Sequence, residues 1–485
     1  MIDRVLVLDV GSTALKAAVF TADGEMLALS EAGLGPAPAL HRQDPESWWS
    51  AARTAIAALG RPRVDAVVLT GTMENLIAVD RNGEPLGDAI LYSDPCGGAA
   101  LERSRGVLDD LGAAQILGND PEPLMTAFKI GWLRDAHPDL FESAAFFLPG
   151  AKDFVALRLT GRAVTDPVTA STTGLMDMAR RRWSETLATA LGVPLRALPE
   201  ILPTGAVIGP VLPDAASDLG LDSSADFLVV NGCGDAGATT LGSFCRASGD
   251  ISLYLGTTGW LARVVAEAEI EARRPVYRLA HPWPGNIIEI TPILSAGAAA
   301  AWARATLSLT DAMAEQALAA ADENPADILF LPYLSGERSP FMDADVRGAF
   351  LGLGAEHGPA ALYYAVLEGV GHAVRANLDA LDPSGAGRIR LVGGGARSAT
   401  WPRMLADVLG RAISVPPSPL VATAMGAFLI AAKTFGLAGV DEAAMQTIAP
   451  RENRRARIER QAATFAEATS FARRLKPRRV AGEGS

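Results

Sequence analysis

The residue whose surroundings best suit chemistry is Asp235, a single carboxylate within the small-residue turn Gly232-Cys233-Gly234-Asp235-Ala236. An apolar run precedes the turn, and an Asp at such a place often serves only to cap a helix. It can equally act as a general base that takes the proton from an attacking hydroxyl group. Phosphoryl transfer needs mainly positioning and charge stabilisation, so one such carboxylate, Mg²⁺ and oriented N–H groups suffice. No Cys/His or Ser/His/Asp pattern in the sequence competes for a catalytic role.

A second carboxylate, Asp9, stands just before another small-residue turn, Gly11-Ser12-Thr13, near the start of the chain. The apolar runs on both sides of this turn predict a β-hairpin. Glycine lets a backbone approach a ligand closely, and the adjacent hydroxyl and N–H groups can bind phosphate oxygens. A carboxylate beside them could hold Mg²⁺ directly or through water. This short pattern is weak evidence when it stands alone.

The same pattern returns in the second half of the chain, where Gly256 and Thr257 begin a turn between two further apolar runs. Gly256 aligns with Gly11, and Tyr254 occupies the place that Asp9 has in the first half. Two hairpins of one design predict two related domains whose turns grip a polyphosphate from both sides. Only the first half offers a carboxylate at this point.

Helix and strand patterns alternate between and after these hairpins, as expected for α/β domains. Residues 45–59 predict a helix capped by Asp44, and residues 64–70 predict a buried strand whose end leads into a ligand-binding loop. Gly297 begins a predicted helix of small residues. The segment 389–395 predicts a strand and a glycine-rich turn of the kind that cradles a nucleotide.

The chain is too long for one hydrophobic core, because single cores stop growing well below its 485 residues. We therefore expect two domains, at 1–244 and 245–440. A helical segment at 441–485 is expected to pack back on the second domain and to fray at its end.

Composition excludes several classes of protein. The net charge of −12 argues against a surface for nucleic acid or an anionic membrane. Three cysteines without a CxxC pair indicate a reducing compartment, and five scattered histidines argue against a histidine metal site. No segment resembles a signal peptide or a membrane span. These features predict a cytoplasmic protein.

Taken in order, the elements resemble the FGGY carbohydrate kinases, and within that family the xylulokinases in particular. The resemblance extends from Leu6 to about Lys433. It rests on an ordered set of segments: Asp9-Val10-Gly11-Ser12-Thr13, Asp44-Pro45-Glu46-Ser47-Trp48-Trp49, Lys152-Asp153-Phe154, Gly232-Cys233-Gly234-Asp235, Leu255-Gly256-Thr257-Thr258, Ser335-Gly336-Glu337-Arg338-Ser339-Pro340 and Gly393-Gly394-Gly395-Ala396-Arg397-Ser398. The implied fold class is α/β, with two ribonuclease-H-like (actin-like ATPase) domains facing a central cleft.

The resemblance also implies cofactors and roles for individual residues. ATP and Mg²⁺ would be the cofactors, and a homodimer is possible because many relatives are dimers. Asp235 matches the catalytic base, and Asp9 matches the carboxylate that helps to hold metal and substrate, so both are candidate catalytic and metal residues. The nucleotide and its phosphates would lie near Gly11, Ser12, Thr13, Lys16, Gly256, Thr257, Gly297, Gly394, Gly395 and Ala399.

The expected sugar site departs from the xylulokinase pattern. Those enzymes place Met-His after the strand that ends near residue 70, whereas this chain has Met73-Glu74. Their Trp-Asn-Asp appears here as Tyr92-Ser93-Asp94. Glutamate only accepts hydrogen bonds, while histidine can also donate, so a different pattern of hydroxyl groups is expected. Met73, Glu74, Asp94 and Asp235 are the predicted substrate-binding residues.

D-Xylulose, phosphorylated on its terminal hydroxyl, is the leading expected substrate. Another ketose such as ribulose, or an erythritol- or glycerol-like polyol, is the alternative. A non-catalytic sugar sensor and an Hsp70-like chaperone are two further hypotheses that the sequence favours less. The first lacks a basic DNA-binding module in this sequence, and the second lacks room for a peptide-binding domain.

Overall fold

Two mixed β-sheets organise the computed structural model, which describes residues 2–221, 227–270, 276–438, 440 and 445–475. The strands are β1 (Arg4–Val10), β2 (Ala14–Thr21), β3 (Met26–Gly33), β4 (Arg42–Gln43), β5 (Ala66–Gly71), β6 (Ile77–Val79), β7 (Ala89–Ile90), β8 (Phe146–Leu148), β9 (Val164–Thr165), β10 (Met176–Asp177), β11 (Arg182–Trp183), β12 (Glu200–Ile201), β13 (Val207–Pro210), β14 (Leu228–Gly234), β15 (Asp250–Leu255), β16 (Gly259–Ala266), β17 (Tyr277–Ala280), β18 (Asn286–Ile293), β19 (Leu329–Leu331), β20 (Ala349–Leu351), β21 (Arg388–Val392), β22 (Ile413–Val415) and β23 (Gln446–Ile448). The α-helices are α1 (Pro45–Ala58), α2 (Gly98–Asp110), α3 (Ala113–Leu117), α4 (Thr126–Ala136), α5 (Pro138–Ser143), α6 (Ala151–Thr160), α7 (Pro167–Ala170), α8 (Glu185–Leu191), α9 (Pro213–Leu219), α10 (Asp235–Gly242), α11 (Gly297–Thr306), α12 (Asp311–Glu323), α13 (Pro359–Leu381), α14 (Trp401–Leu409), α15 (Ala422–Phe435) and α16 (Arg455–Ala472).

The chain divides into two compact units, each assembled from separate stretches. The first unit comprises Met1–Gly242, Arg278–Ile288 and Thr423–Asp441, and the second comprises Ser243–Tyr277, Glu289–Ala422 and Glu442–Ser485. In the first unit, Phe20 of β2 stacks on Phe428 of α15 with ring centroids 4.8 Å apart, which shows how a late helix joins an early sheet. The contiguous ranges 1–244, 245–440 and 441–485 stay a prediction of domain boundaries.

The sheet of the first unit has the strand order β13-β14-β5-β1-β2-β3. Strands β1, β5 and β14 run parallel, and β2 and β3 continue the sheet as antiparallel neighbours. Residues 5–8 of β1 are fully buried, which explains why this strand is a continuous apolar run rather than an alternating one. The hairpin expected from the sequence is confirmed.

The sheet of the second unit has the order β17-β18-β16-β15-β21-β22-β23. Its centre repeats the first: β15 pairs antiparallel with β16 and parallel with β21. The long helix α13, most of it buried, covers a core that includes alternate residues of β15. The strand predicted at 389–392 is confirmed as β21.

The helix predicted after Asp44 begins where local capping chemistry places it. Asp44 accepts a hydrogen bond at 3.0 Å from the N–H of Glu46, so α1 starts at Pro45 as expected. The strand predicted at 64–70 is observed as β5, shifted slightly towards the C-terminus. The helical segment predicted at 441–485 contains α16, and its last residues lie outside the described part of the chain. Among the described helices, none combines the length and the apolar character needed to cross a membrane.

Candidate active site

Two predicted site residues, Asp9 and Asp235, meet at one edge of the first sheet. Asp9 pairs with Thr70 across β1 and β5, and Thr70 pairs with Cys233 across β5 and β14. The three strands are parallel, so their carboxyl ends share an edge, where ligands bind in open α/β sheets. Two strand spacings separate the backbone of Asp9 from that of Cys233, which is about 10 Å. Asp235 follows two residues after Cys233, and its carboxyl group is close enough for the charge of Asp9 to raise its pKa.

Asp9 lies in a row of charged side chains that runs across the first hairpin. It pairs in register with Lys16 on β2, and Lys16 pairs with Glu31 on β3. Burial raises the pKa of Asp9 to about 6, with the Lys16 charge opposing the shift and the Glu31 charge adding to it. Asp9 therefore combines a partly desolvated carboxyl group with a neighbouring cation, which suits a group that handles metal or phosphate charge.

Asp235 follows directly after β14, and the pairing of this strand is irregular just before it. The pairing of β14 with β5 shifts register between Val230 and Cys233. A side chain on Gly232 would clash with the carbonyl oxygen of Leu69, since its Cβ would lie only 1.8 Å away. The Thr70 hydroxyl then donates a 2.8 Å hydrogen bond to the carbonyl oxygen of Cys233. Gly232 thus allows β14 and β5 to pack closely just before Asp235.

Asp235 is the first residue of α10 and is partly exposed. Burial, followed by the charge of Asp9, raises the pKa of its carboxyl group to about 7, while the backbone N–H of Ala236 stabilises the ionised form. Near neutral pH the group can therefore exist as carboxylate or acid. A pKa close to the operating pH is what a general base requires.

The loop after β5 holds Glu74 in an unusual backbone conformation. Its φ angle is 59°, in the left-handed region that non-glycine residues seldom occupy. Helix α4 supports this conformation: the buried Lys129 ammonium donates to the carbonyl oxygen of Glu74, and the Thr126 hydroxyl donates at 2.9 Å to that of Asn75. Strained backbone that the surroundings enforce is common at ligand sites. Met73 of the same loop packs against Gly234, whose Cβ would fall 1.9 Å from the Met73 sulfur.

Asp94, predicted to bind substrate, has protein partners for both carboxylate oxygens. Its Oδ1 accepts a 2.8 Å hydrogen bond from the N–H of Cys96 and caps the short 3₁₀ helix at 95–97. Its Oδ2 forms an ion pair with Arg42. Asp94 is buried, and its role towards a sugar remains a prediction.

In the second unit, the predicted phosphate residues of the hairpin turn and of α11 lie together. The N–H of Gly297 donates to the carbonyl oxygen of Gly256, and the N–H of Ala298 donates to that of Thr257, both at 2.8 Å. A Cβ on Gly297 would lie 2.3 Å from the Gly256 oxygen, so the approach requires glycine. Thr257 is exposed at the tip of this turn.

The glycine-rich segment after β21 joins the same neighbourhood. Gly393 has a φ of 91°, and its Cβ would lie 2.7 Å from the carbonyl oxygen of Leu255, the residue before the hairpin turn. Gly394 is exposed and Gly395 is buried against Leu255. The N–H of Ala399 donates at 3.0 Å to the carboxylate of Glu315 on α12, which fixes the segment that follows.

The sequence reading missed two lysines in the first unit. Lys129 supports the Glu74 loop, and burial lowers its pKa to about 8 against the opposing charge of Glu74. Lys152 belongs to one of the segments that resemble the family, and it is buried with two carboxylates. Lys129 stands in the otherwise apolar segment 127–133, and a lone lysine in such a segment is the signal that could have identified it. Lys152 is followed directly by Asp153, so its local sequence gives no such signal.

Comparison with known proteins identifies the family of this chain. The model of the N-terminal domain of the FGGY family of carbohydrate kinases matches residues 4–242, and the model of its C-terminal domain matches residues 233–435. The chain is 33% identical to a xylulose kinase of Klebsiella pneumoniae over 439 residues, which cover 87% of this chain and 88% of that protein. The chain belongs to the FGGY family of carbohydrate kinases. The resemblance drawn from the sequence is confirmed.

Other relatives agree on the fold and differ in the sugar. This FGGY kinase has a TM-score of 0.85 and 28% identity with the crystal structure of a xyloylose kinase from Brucella ovis, covering 98% of this chain and 100% of that one. It is also 25% identical to a gluconokinase of Bacillus licheniformis over 444 residues, or 86% of this chain and 85% of that protein. The protein is therefore an ATP-dependent sugar kinase with the two-domain α/β fold of its family, and its sugar is a separate question.

The carboxylates of the FGGY kinase suit the metal that such chemistry uses. Within the described residues, no group of three or more His, Cys, Asp or Glu side chains forms a complete metal cage. Mg²⁺ usually takes only one or two protein carboxylates and completes its shell with water and substrate phosphates. Asp9 and Asp235 offer two carboxylates at one sheet edge, which fits that kind of site.

Proposed function

We propose that this FGGY kinase transfers the γ-phosphoryl group of ATP to the terminal hydroxyl of D-xylulose, with Asp235 as the general base. The observation that carries the proposal is the pair of carboxylates at the shared carboxyl ends of β1 and β14. Burial and the nearby Asp9 raise the pKa of Asp235 to about 7. A base with this pKa is ionised in sufficient amount at neutral pH and still holds a proton well during the reaction.

In the proposed reaction, the sugar binds beside the loop 72–75. Asp235 takes the proton from the terminal hydroxyl as its oxygen forms a bond to the γ-phosphorus, and the bond from that phosphorus to the bridging oxygen of ADP breaks. Asp9 and Asp235 would hold Mg²⁺, which neutralises phosphate charge when bound. In the second unit, the turn at Gly256, the start of α11 at Gly297 and the loop at 393–395 would bind the nucleotide phosphates.

The charges around the loop favour a neutral sugar over an aldonate such as gluconate. Arg42 balances the charge of Asp94, and the Lys129 ammonium is bound to the Glu74 carbonyl oxygen. The Glu74 carboxylate is therefore the charge that would repel a sugar carboxylate at this loop. This argument favours ketoses and polyols as a class. Glu74 at the histidine position of xylulokinases supports another neutral ketose or polyol as the second candidate.

A coupled assay of ADP release with MgATP tests the proposal against D-xylulose, D-ribulose, erythritol, glycerol and D-gluconate. We expect the highest kcat/KM with D-xylulose and the lowest with gluconate. A higher kcat/KM for another neutral sugar would show that this sugar, and not D-xylulose, is the substrate of the same kinase mechanism. A preference for gluconate would overturn the charge argument.

Matched variants assign the roles in the same assay. Glu74→His restores the xylulokinase residue and should change the ratio of kcat/KM among the neutral sugars, and Glu74→Gln, which removes only the charge, should raise activity with gluconate. Asp235→Asn should lower kcat about 10²- to 10⁴-fold, the usual contribution of a general base. Turnover near the wild-type value in Asp235→Asn would refute the assignment of the base.

A further inference from the structure

A cluster of buried charges is bonded to β14, the strand that leads directly into Asp235. The Lys152 ammonium is 2.6 Å from the Asp153 carboxylate and 3.0 Å from that of Asp166, and all three side chains are at most 1% exposed. Burial alone would lower the pKa of Lys152, but the two carboxylates raise it above its ordinary value. The lysine therefore stays charged, and three ionic groups are held in the interior of the first unit.

The cluster is bonded to the bulge of β14. The side-chain oxygen of Asn231 accepts a 3.4 Å hydrogen bond from Lys152. The amide nitrogen of the same side chain donates to the carbonyl oxygens of Thr165 at 3.1 Å and Leu202 at 3.0 Å. Asn231 lies within the register shift between Val230 and Cys233, so the cluster holds the strand at the point where its pairing is irregular.

The cluster also reaches the residue just before the base. Asp166 accepts hydrogen bonds from the N–H and, at 2.6 Å, from the hydroxyl of Thr169. This hydroxyl lies next to Gly234, because a Cβ on that glycine would be 3.1 Å from the Thr169 oxygen. At one end of this segment Asn231 is hydrogen-bonded to Lys152, and at the other end Gly234 packs beside the Thr169 hydroxyl that Asp166 fixes.

Stability alone is a poor reason for such a cluster. Replacing a buried ion pair by apolar residues of similar volume is often neutral or stabilising, since desolvation offsets much of the attraction. Directional hydrogen bonds fix positions more sharply than apolar packing does, and a single buried polar group can specify one arrangement among several. Two of the three residues before Asp235 are glycines, which have no side chains of their own to fix the backbone.

We propose that Lys152 is a positioning residue which, through Asn231, Asp166 and Thr169, sets the place of the Asp235 carboxylate for proton transfer. This inference rests on the proposed role of Asp235 as the base. A misplacement of about 1 Å at a reacting group can lower the rate by about 10²-fold. Loss of the cluster should therefore reduce kcat while substrate binding persists.

Two threonines provide a matched test. The hydroxyl of Thr169 donates to Asp166 on the side facing Gly234, and the hydroxyl of Thr165 donates at 2.8 Å to Asp153 on the other side. Both residues are fully buried, and each valine variant removes one hydrogen bond to one carboxylate of the cluster. We expect Thr169→Val to lower kcat about 10-fold with the KM for MgATP and sugar within about 2-fold, and Thr165→Val to keep kcat within about 2-fold. Lys152→Met should lower kcat about 10²-fold.

The melting temperature of each variant is measured in parallel. Equal falls in melting temperature with a kcat loss confined to Thr169→Val support positioning. A loss of melting temperature in both variants with kcat unchanged, or an equal kcat loss in both, would overturn it. If Lys152→Met does not fold, the threonine pair decides the question alone.

Asp235→Asn separates the proposed base from the proposed positioning. If Asp235→Asn remains active, the role of Asp235 as the base fails. If it is inactive while Thr169→Val and Lys152→Met keep the wild-type kcat, only the positioning role of Lys152 fails.

Discussion

The two hairpins of this kinase share a backbone plan and differ in the chemistry they present. In each, an antiparallel hairpin has a parallel neighbour on one side, β5 beside β1 and β21 beside β15. The cross-strand pair Asp9–Lys16 corresponds to the pair Tyr254–Trp260, whose rings stack with centroids 4.0 Å apart. The first hairpin therefore ends in an ionic row, and the second ends in an aromatic stack.

The turns differ as well, by one residue. In the first hairpin the N–H of Gly11 donates to the carbonyl oxygen of Ala14, and in the second the N–H of Gly256 donates to that of Thr258. The comparison shows that a repeated backbone plan can carry different side chains at corresponding places. The first hairpin has a carboxylate before its turn, and the second has a turn one residue shorter that contacts the start of α11.

The largest expected difference in kcat comes from substituting the two residues that differ between the hairpins, Asp9 and Tyr254. Asp9→Asn should lower kcat about 10²- to 10³-fold, because it removes a charge that acts directly on the reacting groups. Tyr254→Phe, the matched change in the second hairpin, should keep kcat within about 3-fold. Steady-state kinetics with MgATP and the preferred sugar measure both. Equal losses in the two variants would break the distinction between the hairpins.

The pH dependence of the first unit follows from its two raised carboxyl pKa values. Asp235, with a pKa of about 7, becomes protonated as the pH falls and can no longer accept a proton. We expect kcat/KM to fall about tenfold for each pH unit below that value, and more steeply below about 6, where Asp9 also protonates.

The charge of Asp9 contributes to the raised pKa of Asp235. The midpoint of the acid limb should therefore move to lower pH in Asp9→Asn, while Tyr254→Phe leaves it unchanged. An acid limb that stays in place in Asp9→Asn would show that the two carboxylates do not interact.

The smallest expected effects are on stability and come from substituting the turn glycines Gly11 and Gly256. An added Cβ would meet backbone at the first position and a side chain at the second. A Cβ on Gly11 would lie 2.6 Å from the carbonyl oxygen of Ala14, and a Cβ on Gly256 would lie 2.6 Å from the Tyr254 hydroxyl. Backbone cannot move aside easily, so Gly11→Ala should destabilise the protein by about 1–3 kcal/mol and Gly256→Ala by less.

A double-mutant cycle sharpens this prediction. Tyr254→Ser removes the obstacle, so Gly256→Ala should cost less in that background than alone when stability is measured by urea unfolding. Additive effects of the two changes would show that the tyrosine ring does not limit the space at the second turn.

Local patterns made much of the fold predictable from the sequence. The apolar run of β1, the cap at Asp44 and the small-residue turns each depend on neighbours in the chain, and the structure confirms them. The likeness of the hairpins around Gly11 and Gly256 was also visible, since turn chemistry is encoded over a few residues. The ordered set of segments was sufficient to indicate the family, and family models now confirm it.

The sequence by itself indicated the family and the candidate residues for its chemistry, and only the tertiary structure decided how those residues are arranged. Sheet register places Asp9 near Asp235, and that pairing joins segments far apart in the chain. The same holds for Lys129, which supports a left-handed Glu74, and for Lys152, which is buried with Asp166. A lysine's burial and a carboxyl group's pKa depend on what packs around them, and those neighbours come from distant strands and helices rather than from the local sequence.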